Sequence, residues 1–139
     1  MPFLEFDDYK LQIRDFELDE VTGYTEAIRL QSELAAQAEM ESYLRDRFDV
    51  EEVFSQTGGD RNELIVMYLI DLALYHMFCA LTPRMVPQIR ADRYNTAIIW
   101  LEKVAAGKLN PDLPLKEDED GNTNGTSIFG SSPLEGDNW

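Results

Sequence analysis

The sequence predicts an all-α protein: a compact bundle of three main helices with a short N-terminal element and an extended, irregular C-terminal tail. Two observations predict it. Three stretches of roughly 20 residues, beginning near Glu26, Asn62 and Gln88, have no interior Gly or Pro and are rich in helix formers. Breaks separate and follow them: Gly58-Gly59, Pro83 and Pro87, then Gly107, Pro111 and Pro114. At 139 residues the chain is one domain's worth of polypeptide, and 44% apolar residues suffice for a core without disulfides. Residues 1–109 read as the helical body and residues 110–139 as an acidic tail.

Residues 1–21 mix aromatics with acids (Phe3, Phe6, Tyr9, Phe16) and predict a short helix or strand within 6–16, then a turn. Thr22 or Thr25 suits the cap of the first long helix, Glu26 to Arg47. Its apolar residues fall on two sides. Leu30, Leu34, Leu44 and Phe48 share one; Ile28, Ala35, Ala36 and Tyr43 lie nearer the other. Such a helix touches two neighbours, or core on both flanks. Residues 55–60 form a loop around Gly58-Gly59, which lacks the Lys-Ser or Lys-Thr of a phosphate loop. The second helix, Asn62 to Leu81, is apolar nearly all round, the mark of a buried helix or a membrane span. Asp71 at its middle and His76 beyond it favour the centre of a bundle over lipid. The third helix, Gln88 to Ala106, follows Pro87 and ends at Gly107, with Lys103 and Lys108 near its negative end. Tyr94, Ala97, Ile98, Leu101 and Ala105 form its core stripe. Trp100 flanks that stripe and Ile99 lies off it, which makes both candidates for an intersubunit contact.

The net charge is −15 and unevenly spread. Residues 1–60 carry 16 acidic and 5 basic side chains, residues 61–110 carry 4 and 6, and residues 111–139 carry 7 and 1. This excludes a protein that grips nucleic-acid phosphates, whose affinity comes from neutralising them. It suits solubility, or a surface that DNA passes without sticking. With Cys79 as the sole cysteine, no intramolecular disulfide can form. The N-terminus has neither a basic stretch nor a long apolar one, so no signal peptide is expected and assembly in the cytoplasm is.

Few residues invite chemistry. His76 and Cys79 share a helix face, but no further His or Cys completes a zinc site. Glu39, Glu41 and the pair Glu51-Glu52 read as solvated charge, without the contrasting environments that acid–base work needs. Asp120-Gly121-Asn122-Thr123-Asn124-Gly125 matches half a calcium loop; its twelfth position is Ser131 instead of a bidentate Glu, and no helix flanks it. No metal, cofactor or catalytic residue is therefore expected. Asp71 stands apart. A carboxylate inside an apolar helix needs a partner, and Arg90 and Arg93 are in reach if the second and third helices pack antiparallel. The tail holds four large apolar groups, Ile128, Phe129, Leu134 and Trp139, which a purely solvated linker does not need. They read as partner contacts.

Three blocks resemble the Mu-like phage neck, or head-completion, proteins: Glu41-Ser42-Tyr43-Leu44-Arg45-Asp46-Arg47-Phe48, Leu69-Ile70-Asp71-Leu72-Ala73-Leu74-Tyr75-His76, and Arg93 through Gly107. Phe48 stands where the family more often has Tyr. The resemblance covers residues 25–109. It implies a non-enzymatic helical adaptor of the head–tail connector, working under the portal protein as a homo-oligomeric ring of about twelve copies, a number the family supplies. It implies portal, tail or other neck proteins as partners, DNA passing through the ring, no membrane, and a place in the virion. The competing reading is a cytoplasmic helical module that recognises a partner peptide.

Overall fold

The computed structural model describes residues 3–13, 26–81 and 86–116. These residues form four α-helices: α1 (Glu26–Leu44), α2 (Val50–Ser55), α3 (Glu63–Leu81) and α4 (Gln88–Ala105). A 3-10 helix over Phe6–Leu11 precedes them, and a 3-10 turn over Gly58–Asp60 joins α2 to α3. The protein is all-α. Among the described residues, the pairing outside helices is an antiparallel bridge between Phe48 and Leu115.

The centre is α3. It starts where the Asn62 side chain accepts from the backbone N–H groups of Leu64 (2.9 Å) and Ile65 (3.1 Å), satisfying two of the orphan donors of the first turn. Ile65, Leu69, Ile70, Leu72, Ala73, Leu74 and Met77 are all buried, so more than one face of the helix is covered. The stretch Glu63–Ala80 is long and apolar enough to cross a membrane, yet half of it is buried within the protein. Pairs along the helices give their directions. Tyr68 stacks on Trp100, Asp71 meets Arg93, and Tyr75 stacks on Tyr94, so α4 runs antiparallel to α3. Glu39 meets Tyr94 and Arg47 meets Val104, so α1 runs parallel to α4.

Two stripes differ from expectation. On α1 the buried line is Arg29, Ser32, Glu33, Ala36, Met40 and Leu44. Leu34 is 68% exposed, and Ala35 is exposed as well. Arg29 and Glu33 hold inward positions in the first turns, where Arg29 donates to Glu33 at 2.9 Å. On α4 the stripe ends on buried Val104, one position before the expected Ala105, which is exposed. The short helix α2 falls where only a loop and solvated acids were read. Asp49 caps it, its carboxylate accepting from Glu52 N at 3.1 Å, and Val53 and Phe54 are its buried face.

Gly107, at φ +80°, closes α4. Its N–H bonds to Val104 O (3.0 Å) and that of Lys108 bonds to Lys103 O (2.9 Å), the paired bonds of a Schellman ending. Beyond it the chain stays on the body through residue 116. Leu113 is buried, Asp49 N donates to Pro114 O (2.9 Å), and Lys116 N donates to Arg47 O (3.1 Å). The calcium-like run at 120–125, the acidic run at 117–120, the Thr22 and Thr25 caps, Phe16 and Pro83 lie outside the described residues.

Candidate interaction surface

Asp71 is 2% exposed at the middle of α3. Arg93 grips it with both arms of its guanidinium, Nε to Oδ1 at 3.0 Å and Nη2 to Oδ2 at 3.1 Å. Arg90, one turn earlier on α4, is also buried, and its charge acts on the same carboxylate. Burial raises the Asp71 pKa above the ordinary carboxylate value, and the bonds from Arg93 and the two positive charges only partly offset that rise. The arrangement pins α3 to α4 in one register.

A second polar cluster ties three helices. Glu39 of α1 accepts from the Tyr94 hydroxyl (2.6 Å) on one oxygen and faces His76 Nε2 (3.0 Å) on the other. Glu39 is half-buried, so it is a structural acceptor where solvated charge was expected. Burial, then this hydrogen bond, raises the Tyr94 pKa. Cys79 is paired with Tyr75, one turn earlier on α3, and the hydrogen bond between them raises the Tyr75 pKa. Among the described residues no group of three His, Cys, Asp or Glu converges as a metal site would require.

The third feature is a groove, which sequence reasoning missed. Residues 3–13 pack against α3, reach α1 through the Tyr9–Glu33 hydrogen bond and the Arg29 guanidinium over the Phe6 ring, and are fastened by Arg61, which donates to Phe3 O (2.9 Å), Gly58 O (2.8 Å) and both oxygens of Asp8 (2.6 and 2.9 Å). Two adjoining hollows of about 410 Å³ each open between this segment and α1. Phe3, Leu4 and Leu30 are shared by both; Phe54 and Leu34 line one, Glu5 and Glu26 the other. The first hollow is also lined by Glu33. Tyr9 Oη (2.5 Å) and Arg29 Nη1 (2.9 Å) both donate to its Oε2, while its buried Oε1 has no hydrogen-bond partner among the described residues. Burial raises the Glu33 pKa despite these donors. The spacing of Arg29 and Glu33 was a usable signal for the pair; nothing local pointed to Tyr9.

Of the predicted contact residues, Ile99 is 51% exposed on α4. Trp100 is half-buried and packed on Tyr68, with ring centroids 4.7 Å apart. Ile128, Phe129, Leu134 and Trp139 lie outside the described residues. Other exposed apolar side chains are Phe6, Leu34, Leu64, Ile89 and Leu109. They are spread over the N-terminal 3-10 helix, α1, α3, α4 and the turn after α4, so the body offers apolar contacts in several directions.

No curated protein and no solved structure matches the chain. A family model does match, over residues 7–129, a span that takes in all four helices. On that match the chain belongs to the family of bacteriophage Mu Gp36.

Proposed function

We propose that this chain is a structural subunit of the phage head–tail connector, one copy in a homo-oligomeric ring that bridges the portal protein to tail or other neck proteins. The observation that carries the reading is membership of a phage family across residues 7–129, which suggests a structural or morphogenetic protein. The geometry supports it in two ways. The described polar clusters lock helices together, as suits a non-enzymatic part that holds its shape. Exposed apolar side chains stand on α1, on α4 and on the turn beyond α4, as suits a subunit with several neighbours. The net charge of −15 suits a channel wall, since it repels DNA phosphates and lets the duplex slide. In this reading the chain needs no cofactor, assembles in the host cytoplasm and ends at the head–tail junction.

The test is composition and position in purified virions. Quantitative mass spectrometry should find the chain in a fixed multiple per particle, and imaging should place it between head and tail. A chain abundant in infected cells but absent from washed virions would instead be a free helical binding module.

A further inference from the structure

Residues 3–13 are held to the body differently from the rest of the chain. Their backbone hydrogen bonds stay within the segment: Asp8 N donates to Glu5 O (3.0 Å), and Gln12 N and Ile13 N both donate to Tyr9 O (2.9 Å each). Among the described residues no backbone–backbone bond joins the segment to a helix, whereas two such bonds tie the chain after α4 to the turn after α1. What crosses to the body is side chains. Phe3, Leu4, Tyr9 and Ile13 are buried, and the Phe3 ring meets that of Phe54 edge-on, with centroids 5.1 Å apart. Tyr9 reaches Glu33, and the Arg29 guanidinium lies 5.5 Å from the centre of the Phe6 ring.

One side chain carries much of the polar attachment. The largely buried Arg61 donates through Nη1 to Phe3 O and Asp8 Oδ2 and through Nη2 to Asp8 Oδ1, and it also stands 3.8 Å from the Glu5 carboxylate. A two-armed, charge-assisted grip of this kind is both strong and directional. Two features work against closure. The hollows between the segment and α1 leave empty space where a filled interior would make dispersion contacts. Closure also buries Glu33 Oε1 without a hydrogen-bond partner among the described residues, and water satisfies that oxygen once the segment is off. Lifting the segment breaks no hydrogen bond of the α1, α3 or α4 ladders, so it costs far less order than unfolding a helix.

We infer that residues 3–13 are a strap clasped by Arg61, which opens as a unit while the helical body stays folded. Opening uncovers Leu69 and Phe54, which line the hollow beneath the strap, and hydrates Glu33. The four buried apolar side chains and the Arg61 grip keep the strap closed in the structure; without the grip, the hollows and the unpaired oxygen weigh more heavily. This end of the molecule therefore has two faces, strap closed or apolar floor bare, and Arg61 sets the balance between them. The inference goes beyond the connector reading and does not rest on it.

Amide hydrogen exchange of the full chain, followed residue by residue by NMR across a series of low denaturant concentrations, tests it. The bonded amides of Asp8, Gln12 and Ile13 should be protected, yet exchange faster than those of α3 between Ile65 and Met77, and with a weaker dependence on denaturant. Arg61→Gln removes the clasp from the body side. Asp8→Asn weakens it from the strap side and keeps the Arg61 bond to Gly58 O, so it decides the matter if Arg61→Gln fails to fold. Each variant should speed exchange of the three strap amides together, by about tenfold or more. Strap amides that match α3 in both rate and denaturant dependence would overturn the inference, because the segment would then open only when the whole protein unfolds. Rates unmoved by both variants would overturn it too, leaving local fraying that Arg61 does not govern. So would strap amides that show no protection in the wild type.

Discussion

Glu33 places a titratable group where its protonation is coupled to folding. Burial raises its pKa in the folded protein above the ordinary value of 4.5. Between that value and the raised one the folded state holds more protons than the unfolded, so stability falls as pH rises through this window. The contribution is fully present below the ordinary pKa and is lost above the folded one. Asp71 acts in the same sense from 3.8 upward. Asp8 acts in the opposite sense. Burial pushes its pKa up, but the Arg61 hydrogen bonds, the Glu5 N–H and the Arg61 charge outweigh that and hold it below 3.8, so its stabilisation is lost as pH falls. Glu33→Gln should therefore flatten the fall of melting temperature with rising pH just above 4.5, measured by circular dichroism. An unchanged slope would mean that Glu33 titrates normally. Asp71→Ala leaves Arg93, and nearby Arg90, facing a missing carboxylate, and should lower stability by about 3–5 kcal/mol in denaturant titration. A midpoint equal to wild type would show that the pair does not hold the helices.

At the scale of elements, periodicity and breakers were enough to find the three long helices. Asn62, Pro87 and Gly107 mark ends that the backbone respects. What they could not reveal is which face of α1 turns inward. Counting apolar residues left Leu34 either in the core or against a neighbour; Arg29 and Glu33 take the inward positions, and Tyr9, from a segment 24 residues away, completes their bonding. A partner that distant leaves no periodic trace. The same blindness hid α2, whose six residues are too few to display a period, although Asp49 and Glu52 carry a capping signal. Nor does spacing foretell the groove, which exists because Arg61 holds Phe3 and Asp8 of the N-terminal segment beside the helices. A leucine comparison checks the inward face directly. Leu69→Ala, at 1% exposure, should cost about 2–5 kcal/mol, while Leu34→Ala, at 68%, should fall within about 0.5 kcal/mol of wild type. Equal losses in thermal unfolding would show that Leu34 is buried after all.

For the molecule as a whole, the question is where the folded body ends, because that decides which part of the tail is free to meet a partner. Composition changes at Asn110, yet Leu113 is buried, Asn110 and Leu109 accept from Arg47, and Pro114 and Lys116 bond to the turn after α1. Two truncations separate the body from the arm. Removing residues 110–139 exposes the surface under Leu113 and strips the bonds to Asn110, Pro114 and Lys116, so it should cost about 2–4 kcal/mol, one buried leucine and one or two net hydrogen bonds. Removing only residues 126–139 spares all of them, so the melting temperature should match that of the full chain. That shorter cut deletes Ile128, Phe129, Leu134 and Trp139, whose burial on a partner is worth about 1.5–3 kcal/mol apiece before the entropy of ordering the segment is subtracted. If these groups dock on a neighbour in the particle, the shorter truncation should fold normally and yet enter particles poorly, as read by its copy number in purified virions. Incorporation equal to that of the full chain would make the last 14 residues a passive extension, and assembly would then depend on contacts made by the helical body.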